Sequence, residues 1–273
     1  MEIKAVRQLD YARACVGLST GIDALDVMTS GFRNGEFYVF GARPGDGKTA
    51  IMCQAIRRNC KAGRKVSAFS VEVKRTQIMQ RLVSQESGIS VFDMRDPRVL
   101  TEHEMTRVTM AASEVSKWPL TIEDSPRLNV KQLQAIARLH VSRGAEIIFI
   151  DYRQKLRAPG RDRFEKVTAI ADSLWELGRS TDVPVVALSQ LRCRTNPKEE
   201  PTMDDLREPG EIEQNANGVF LLHRPTEIEP GTDKRKFTGH DKIIIAKQRS
   251  GPAGTYVHVR FNGVLGKFEE RSK

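Results

Sequence analysis

An α/β fold is expected, with a mainly parallel central sheet flanked by helices and an antiparallel extension near the C-terminus. Three observations predict it. Strand-like and helix-like segments alternate from residue 36 to residue 189, and that alternation builds parallel sheets. Runs such as Ile147-Ile148-Phe149-Ile150 and Val185-Val186-Ala187-Leu188 are apolar without interruption, as strands buried on both faces are. After about residue 215 the pattern becomes strand runs joined by turns, which suits antiparallel strands added at one sheet edge.

The elements follow in order. In the first sixteen residues Ile3, Val6 and Leu9 recur at three-residue spacing, compatible with a short amphipathic helix outside the core. Residues 1–16 therefore form an N-terminal segment ahead of one domain over 17–273. TGIDALD (20–26) starts a second element, and EFYVFG (36–41) is rich in β-formers. A helix over 49–63 ends at Gly63. Strands over 65–72, 119–124, 146–151 and 183–189 alternate with helices over 75–88, 101–117, 129–144 and 164–181. The C-terminal strand runs are GVFLLH (218–223), DKIIIAKQ (241–248) and GTYVHVRFNG (254–263).

Between the 36–41 strand and the following helix lies ARPGDGKT, residues Ala42, Arg43, Pro44, Gly45, Asp46, Gly47, Lys48 and Thr49. A phosphate-binding loop works where a strand ends, a tight turn exposes backbone N–H groups, and a helix N-terminus points at the phosphates. The flanks here supply that context. Lys48 would reach the β- and γ-phosphates, and Thr49 would bind Mg²⁺. Ala42 stands where the usual loop has glycine; a negative φ there makes a methyl group tolerable.

Hydrolysis needs more than a loop. Asp151 ends the buried IIFID strand, where a carboxylate can hold the Mg²⁺ shell. A solvated aspartate at a strand end is common, so Asp151 takes its meaning from the loop. Glu72 ends KVSAFSVE, a strand expected beside the loop strand, and its carboxylate can face the γ-phosphate; the alternative is a simple charge at a helix N-terminus. Gln190 ends VPVVALSQ and can sense the γ-phosphate or cap its loop. Arg249 follows a strand and precedes the turn signal Gly251-Pro252. A cation so placed can stabilise charge developing on the phosphate.

Lys and Arg number 44 against 35 Asp and Glu in the 273 residues, a net +9. That excess points to a polyanionic partner. Nucleic acid is favoured over an anionic membrane because no basic amphipathic helix with a broad apolar face stands out. Cys15, Cys53, Cys60 and Cys193 fit no zinc spacing, and reduced thiols in a reducing compartment are expected. No apolar signal core opens the sequence and no run approaches a membrane span, so a cytoplasmic location is expected.

Together these pieces resemble the RecA-like ATPase domain of DnaB-type replicative DNA helicases. The resemblance covers about residues 17–268 and rests on STGIDALDVMTSGF, ARPGDGKT, FSVE, IIFIDYRQ, VPVVALSQL, DLREPGEIEQNAN and IAKQRSGPAGT, in that order. DLRE-x-G-x-IEQ and KQR-x-GP-x-G are its most specific parts. It implies ATP and Mg²⁺, and a six-membered homo-oligomeric ring around single-stranded DNA with nucleotide between subunits. Loader or primase proteins are further implied partners. It also implies Glu72 as the catalytic carboxylate, Asp151 at the Mg²⁺ site and Gln190 as γ-phosphate sensor. Lys247 and Arg249 would reach the neighbouring subunit's site, Arg249 as arginine finger. Arg207, Glu208 and Gly210 would lie in the loop that holds the DNA backbone.

Three departures stand out. The family's usual Tyr-Leu-Gln-Leu after the aspartate is Tyr152-Arg153-Gln154-Lys155 here, and Asn215 and Asn217 stand where acids are common. The sequence also begins almost at the ATPase core, whereas the family carries a helical domain before it. The reading is an ATP-driven motor that translocates on single-stranded DNA and unwinds duplex. Two alternatives remain: a DNA-stimulated ATPase that loads or remodels other proteins, and a nucleotide-gated DNA-binding module with negligible turnover.

Overall fold

The structure is a computed structural model that describes residues 17–126, 128–151, 156, 158–192, 199–206, 214–228 and 235–270. The expected helix within 1–16 lies outside these residues, as do Cys15 and Cys193. The helices are α1 (Asp23–Thr29), α2 (Lys48–Lys61), α3 (Arg75–Ser87), α4 (Glu102–Ser116), α5 (Val130–Ser142) and α6 (Arg163–Thr181). Local chemistry sets their ends. Thr101 with Glu104 and Asn129 with Gln132 form reciprocal capping boxes before α4 and α5. Asp162 caps α6 by accepting from Glu165 N–H, and Gly88 ends α3 in the left-handed conformation.

Among the described residues, β1 (Phe37–Ala42), β2 (Val66–Ser70), β3 (Leu120–Glu123), β4 (Ile147–Asp151), β5 (Val185–Gln190) and β6 (Gly218–His223) are all parallel. A hairpin of β7 (Thr226–Ile228) and β8 (Arg235–Phe237) stands apart from the sheet. β9 (Lys242–Gln248), β10 (Thr255–Asn262) and β11 (Lys267–Glu270) extend the sheet antiparallel. The order is β11-β10-β9-β6-β1-β5-β4-β2-β3. The expected class, a parallel sheet with an antiparallel C-terminal extension, is what forms.

Both faces of the parallel part are covered. Phe40, Ile56, Phe149 and Phe220 belong to one apolar layer, and Val39, Leu133, Ile148 and Leu174 to the other. Every residue of β1 and β4 is buried, which is why those segments read as unbroken apolar runs.

The expectation that the strand before Glu72 lies beside the loop strand is wrong. β5 and β6 flank β1, and β5 and β4 separate it from β2. Helical crossovers carry the chain to distant sheet positions, so neighbours in sequence are not neighbours in the sheet. The β7–β8 hairpin and β11 were not expected either; their strands are three to four residues long, too short for a period-two pattern to register.

Candidate nucleotide and catalytic site

The carboxyl ends of the parallel strands form one edge of the sheet, and the phosphate loop leaves β1 there. Among the described residues only Ser30 and Asp182 are non-glycines with positive φ, so Ala42 meets the condition its methyl group sets. Ala42 pairs with Gln190 of β5 and Leu222 of β6. Gly47 has φ 97°, and a Cβ on it would lie 2.8 Å from a Phe268 ring atom and 2.9 Å from one of Phe261. Glycine is required there by conformation and by space. α2 begins at Lys48, so its positive N-terminal end faces the loop.

Three strand ends bring their side chains to this loop. Lys48 Nζ donates to Asp151 Oδ1 at 2.7 Å, and Thr49 Oγ1 donates to Asp151 Oδ2 at 3.0 Å. The Asp151 side chain is fully buried. Glu72 Oε2 stands 3.9 Å from Lys48 Nζ and keeps 34% of its side chain exposed. Its segment is fixed from two sides: Val71 N–H donates to the Asp151 carbonyl at 3.2 Å, and Ser70 Oγ donates to the Val73 carbonyl at 2.7 Å. Glu72 therefore reaches the loop from β2 although two strands intervene. A cleft of about 370 Å³ is lined by Gly45, Lys48, Thr49, Glu72, Gln190 and Arg81, among others. The residues expected at the nucleotide site are thus brought together.

Other residues at this edge were missed by sequence reasoning. Arg81, exposed on α3, lines the cleft, as does Phe261 of β10. Arg224, just beyond β6, donates from Nη1 to the Gly45 carbonyl at 3.0 Å. Asp46, which the sequence already placed in the loop, is buried beside them, and burial pushes its carboxyl up to about 7 against the pull of Arg224 and Arg43. His223 is also buried; burial, with Lys242 nearby, lowers its imidazole to about 4. The only signal these residues gave was charge within an apolar stretch, as in LLHRP (221–225). A buried Arg beside a strand end has no local pattern of its own.

Lys247 and Arg249 lie elsewhere. β9 runs antiparallel to β6, with Lys247 opposite Val219 and Gln248 opposite Gly218, which itself pairs with Tyr38 near the start of β1. Arg249 N–H donates to the Asn217 carbonyl at 2.9 Å, and Asn217 N–H donates to the Phe37 carbonyl at 2.7 Å. Arg249 is exposed, and its guanidinium donates to the Gln214 carbonyl. It sits at the amino-end edge, roughly 17 Å of strand from the loop at about 3.3 Å per residue. A register shift beside Val219 and Phe220 makes Ala246 an extra residue in β9, and such a bulge bends a strand and re-aims its side chains. Arg207, Glu208 and Gly210, and with them Arg153 and Lys155, fall outside the described residues.

Cys53 and Cys60 are buried and unbonded. Among the described residues no helix is long and apolar enough to cross a membrane, and no group of three or more His, Cys, Asp and Glu gathers as a metal cage.

The chain is similar to known proteins over almost all of its length. A family model described as the DnaB-like helicase C-terminal domain matches residues 17–270. The replicative DNA helicase DnaB of Treponema pallidum is 39% identical over 258 residues, which are 93% of this chain and 56% of that protein. DnaB of Geobacillus stearothermophilus is 35% identical over 259 residues, 92% of this chain and 56% of that protein. The chain thus spans a little over half the length of these curated relatives. A solved DnaB-like replicative helicase, described together with its interactions with primase, superposes with a TM-score of 0.85 at 26% identity over 100% of this chain and 67% of that one. The RadB recombinase, at 16% identity and a TM-score of 0.62 over 93% of this chain and 100% of its own, shares the fold. That fold is the RecA-like ATPase fold.

Proposed function

The chain belongs to the DnaB-like helicase C-terminal domain family, and from that premise we propose that it is the ATP-hydrolysing motor of a ring-shaped replicative-type DNA helicase. In this reading it moves along single-stranded DNA in the cytoplasm and unwinds duplex, within a hexamer that meets loader or primase proteins. The observation that carries the reading is the division of charge between two sheet edges. Lys48, Thr49, Asp151, Glu72 and Gln190 converge at one edge, and Arg249 projects from the other.

The residues fit a Mg²⁺-nucleotide. Thr49 and Asp151 offer hard oxygen donors 3.0 Å apart, and the scarcity of further carboxylates suits an ion that keeps waters and takes phosphate oxygens as ligands. When bound, Mg²⁺ would neutralise charge building on the β- and γ-phosphate oxygens. Lys48 binds the same oxygens, moving from the Asp151 carboxylate to the phosphates. Asp151 holds Thr49 and the inner edge of the site in place. Glu72, partly exposed beside Lys48, orients the attacking water and accepts its proton. Gln190 contacts the γ-phosphate from the strand next to the loop.

Arg249 serves a different subunit's nucleotide. Strand geometry keeps it from its own loop, whereas a ring that sets the amino-end edge of one subunit against the loop edge of the next would deliver it. An arginine supplied in trans contributes about 10³–10⁵ in rate in related chemistry. Lys247, two residues before it, adds a second cation. Arg207, Glu208 and Gly210 hold the DNA backbone, with Arg153 and Lys155 as further basic positions.

Turnover of ATP with Mg²⁺, with and without single-stranded DNA, tests the reading. We expect DNA-stimulated hydrolysis that Lys48→Ala abolishes, and strand displacement on a forked duplex. Hydrolysis unaffected by Lys48→Ala, or an assembly that hydrolyses ATP without separating strands, would contradict it.

A further inference from the structure

β9 spans the two edges of this sheet. Asp241, just before its first residue, is buried on the loop side. Arg249, just after its last residue, stands on the other. Arg224 joins the loop to this strand. Its Nη1 donates to the Gly45 carbonyl at 3.0 Å, and its Nε lies 3.6 Å from Asp241 Oδ2. The guanidinium plane is clasped between two rings, its carbon 3.8 Å from the Phe237 centroid of the β7–β8 hairpin and 4.0 Å from that of Phe261 in β10. Asp241 is fixed in turn: Oδ2 accepts from Phe261 N–H at 2.8 Å and its carbonyl accepts from Val259 N–H at 3.0 Å.

This is a costly arrangement to keep for stability alone. Arg224 is 8% exposed and Asp241 2%, and a buried ion pair contributes little or nothing beyond a well-packed apolar pair. Its partners are informative. One hand of the guanidinium holds a carbonyl of the phosphate loop, and the other faces the carboxylate that begins β9. β9 is hydrogen-bonded to β6 on one side and β10 on the other, so a displacement at Asp241 moves a paired strand and not a free end. Its bulge at Ala246 lies three residues before Arg249, where a small shift is turned into a change of aim.

We propose that Arg224 and Asp241 are positioning residues that couple the state of the phosphate loop in one subunit to the placement of Arg249 at the neighbouring subunit's site. The inference rests on the in-trans role of Arg249 proposed above. When phosphates settle against the loop, the Gly45 carbonyl shifts, Arg224 follows its acceptor, and Asp241 follows the charge. Neither residue takes part in a bond that forms or breaks.

Asp241→Asn keeps the shape and an oxygen for Phe261 N–H but removes the charge that faces Arg224. Arg224→Lys keeps a cation and loses the planar fork. Each is made in the otherwise unchanged chain and in Arg249→Ala, and single-turnover ATP hydrolysis of the assembled protein is measured with Mg²⁺ and single-stranded DNA. A fluorescent ATP analogue reports binding at the loop, and thermal unfolding reports folding. We expect Asp241→Asn to slow hydrolysis about tenfold when Arg249 is present and less than about twofold when it is alanine, because the two act in series. Analogue affinity should stay within about threefold, since the loop itself is intact. Arg224→Lys should show the same dependence on background, and it decides the matter if Asp241→Asn unfolds early. Equal slowing in both backgrounds would overturn the proposal, because the pair would then serve only its own loop. An unchanged rate with Arg249 present would overturn it as well. A full rate in Arg249→Ala alone would instead defeat the in-trans reading on which the proposal rests.

Discussion

Lys48 and Arg249 are carried by one sheet and stand at its opposite edges. Lys48 opens α2 directly above the carboxyl end of β1, and Arg249 is tied through Asn217 to Phe37 at the amino end of the same strand. Under the proposed function, one subunit would therefore carry both halves of a hydrolytic site without being able to bring them together.

Glu72, 3.9 Å from Lys48 Nζ, is the group proposed to orient the attacking water. Glu72→Gln preserves volume and removes the base, so we expect turnover to fall by about 10²–10⁴ while nucleotide affinity is retained. Quench-flow hydrolysis paired with equilibrium binding checks this. Turnover at the parent rate would remove Glu72 from the chemistry.

Gly47 makes the loop depend on the C-terminal strands. Gly47→Ala would force a Cβ to within 2.8 Å of the Phe268 ring at a φ of 97°. The cost is about 1–3 kcal/mol of strain, and it falls on the loop. Weakened nucleotide binding is expected, and the midpoint of urea unfolding should drop. An alanine variant with unaltered binding and midpoint would show that Phe261 and Phe268 give way freely.

Much of this site is legible in the sequence, because the local context of each motif carries its meaning. ARPGDGKT lies between a strand and a helix, and IIFID ends in a carboxylate, so Lys48, Thr49 and Asp151 followed from pattern alone. Glu72 stands at the loop edge although the neighbourhood expected for it is wrong: reaching that edge follows from lying at the carboxyl end of a parallel strand, and not from strand order. Arg224 and Phe261 escape such a reading because their contacts join segments far apart in the chain, as with the separation of 179 positions between Arg224 and Gly45. No periodicity records such a meeting.

Asp26 gives a pH dependence. Its carboxylate accepts from Ser19 Oγ at 2.6 Å and from Thr20 N–H at 2.7 Å, yet burial outweighs these bonds and raises it to about 6. A carboxyl raised in the folded state stabilises the fold fully below its unfolded value and loses that contribution as pH rises through the folded one. Relative to Asp26→Asn, the parent chain should lose up to about 3 kcal/mol between about pH 4 and pH 7. Denaturant unfolding of both chains across that range measures it, and a constant difference would mean that Asp26 ionises normally.

DNA affinity should depend on phosphates and little on sequence. Arg207→Ala is expected to weaken single-strand binding alike on unrelated sequences and to shallow the salt slope by about one unit. The same titration on Arg153→Ala with Lys155→Ala separates a channel from a patch for a protein partner: a shallower slope assigns the pair to DNA. An unchanged affinity and slope for Arg207→Ala would remove that loop from the DNA path.

The proposed shared site is tested most directly by mixing two inactive chains. Lys48→Ala would lack a working loop and Arg249→Ala the proposed finger, so each alone should hydrolyse ATP at a small fraction of the parent rate. In mixed rings some subunit boundaries place an intact Lys48 loop against an intact Arg249. ATPase measured across mixing ratios, in particles shown by native mass spectrometry to be mixed, should rise above both parents and peak at intermediate ratios. A rate that stays on the straight line between the two pure variants at every ratio would contradict a site built from two subunits.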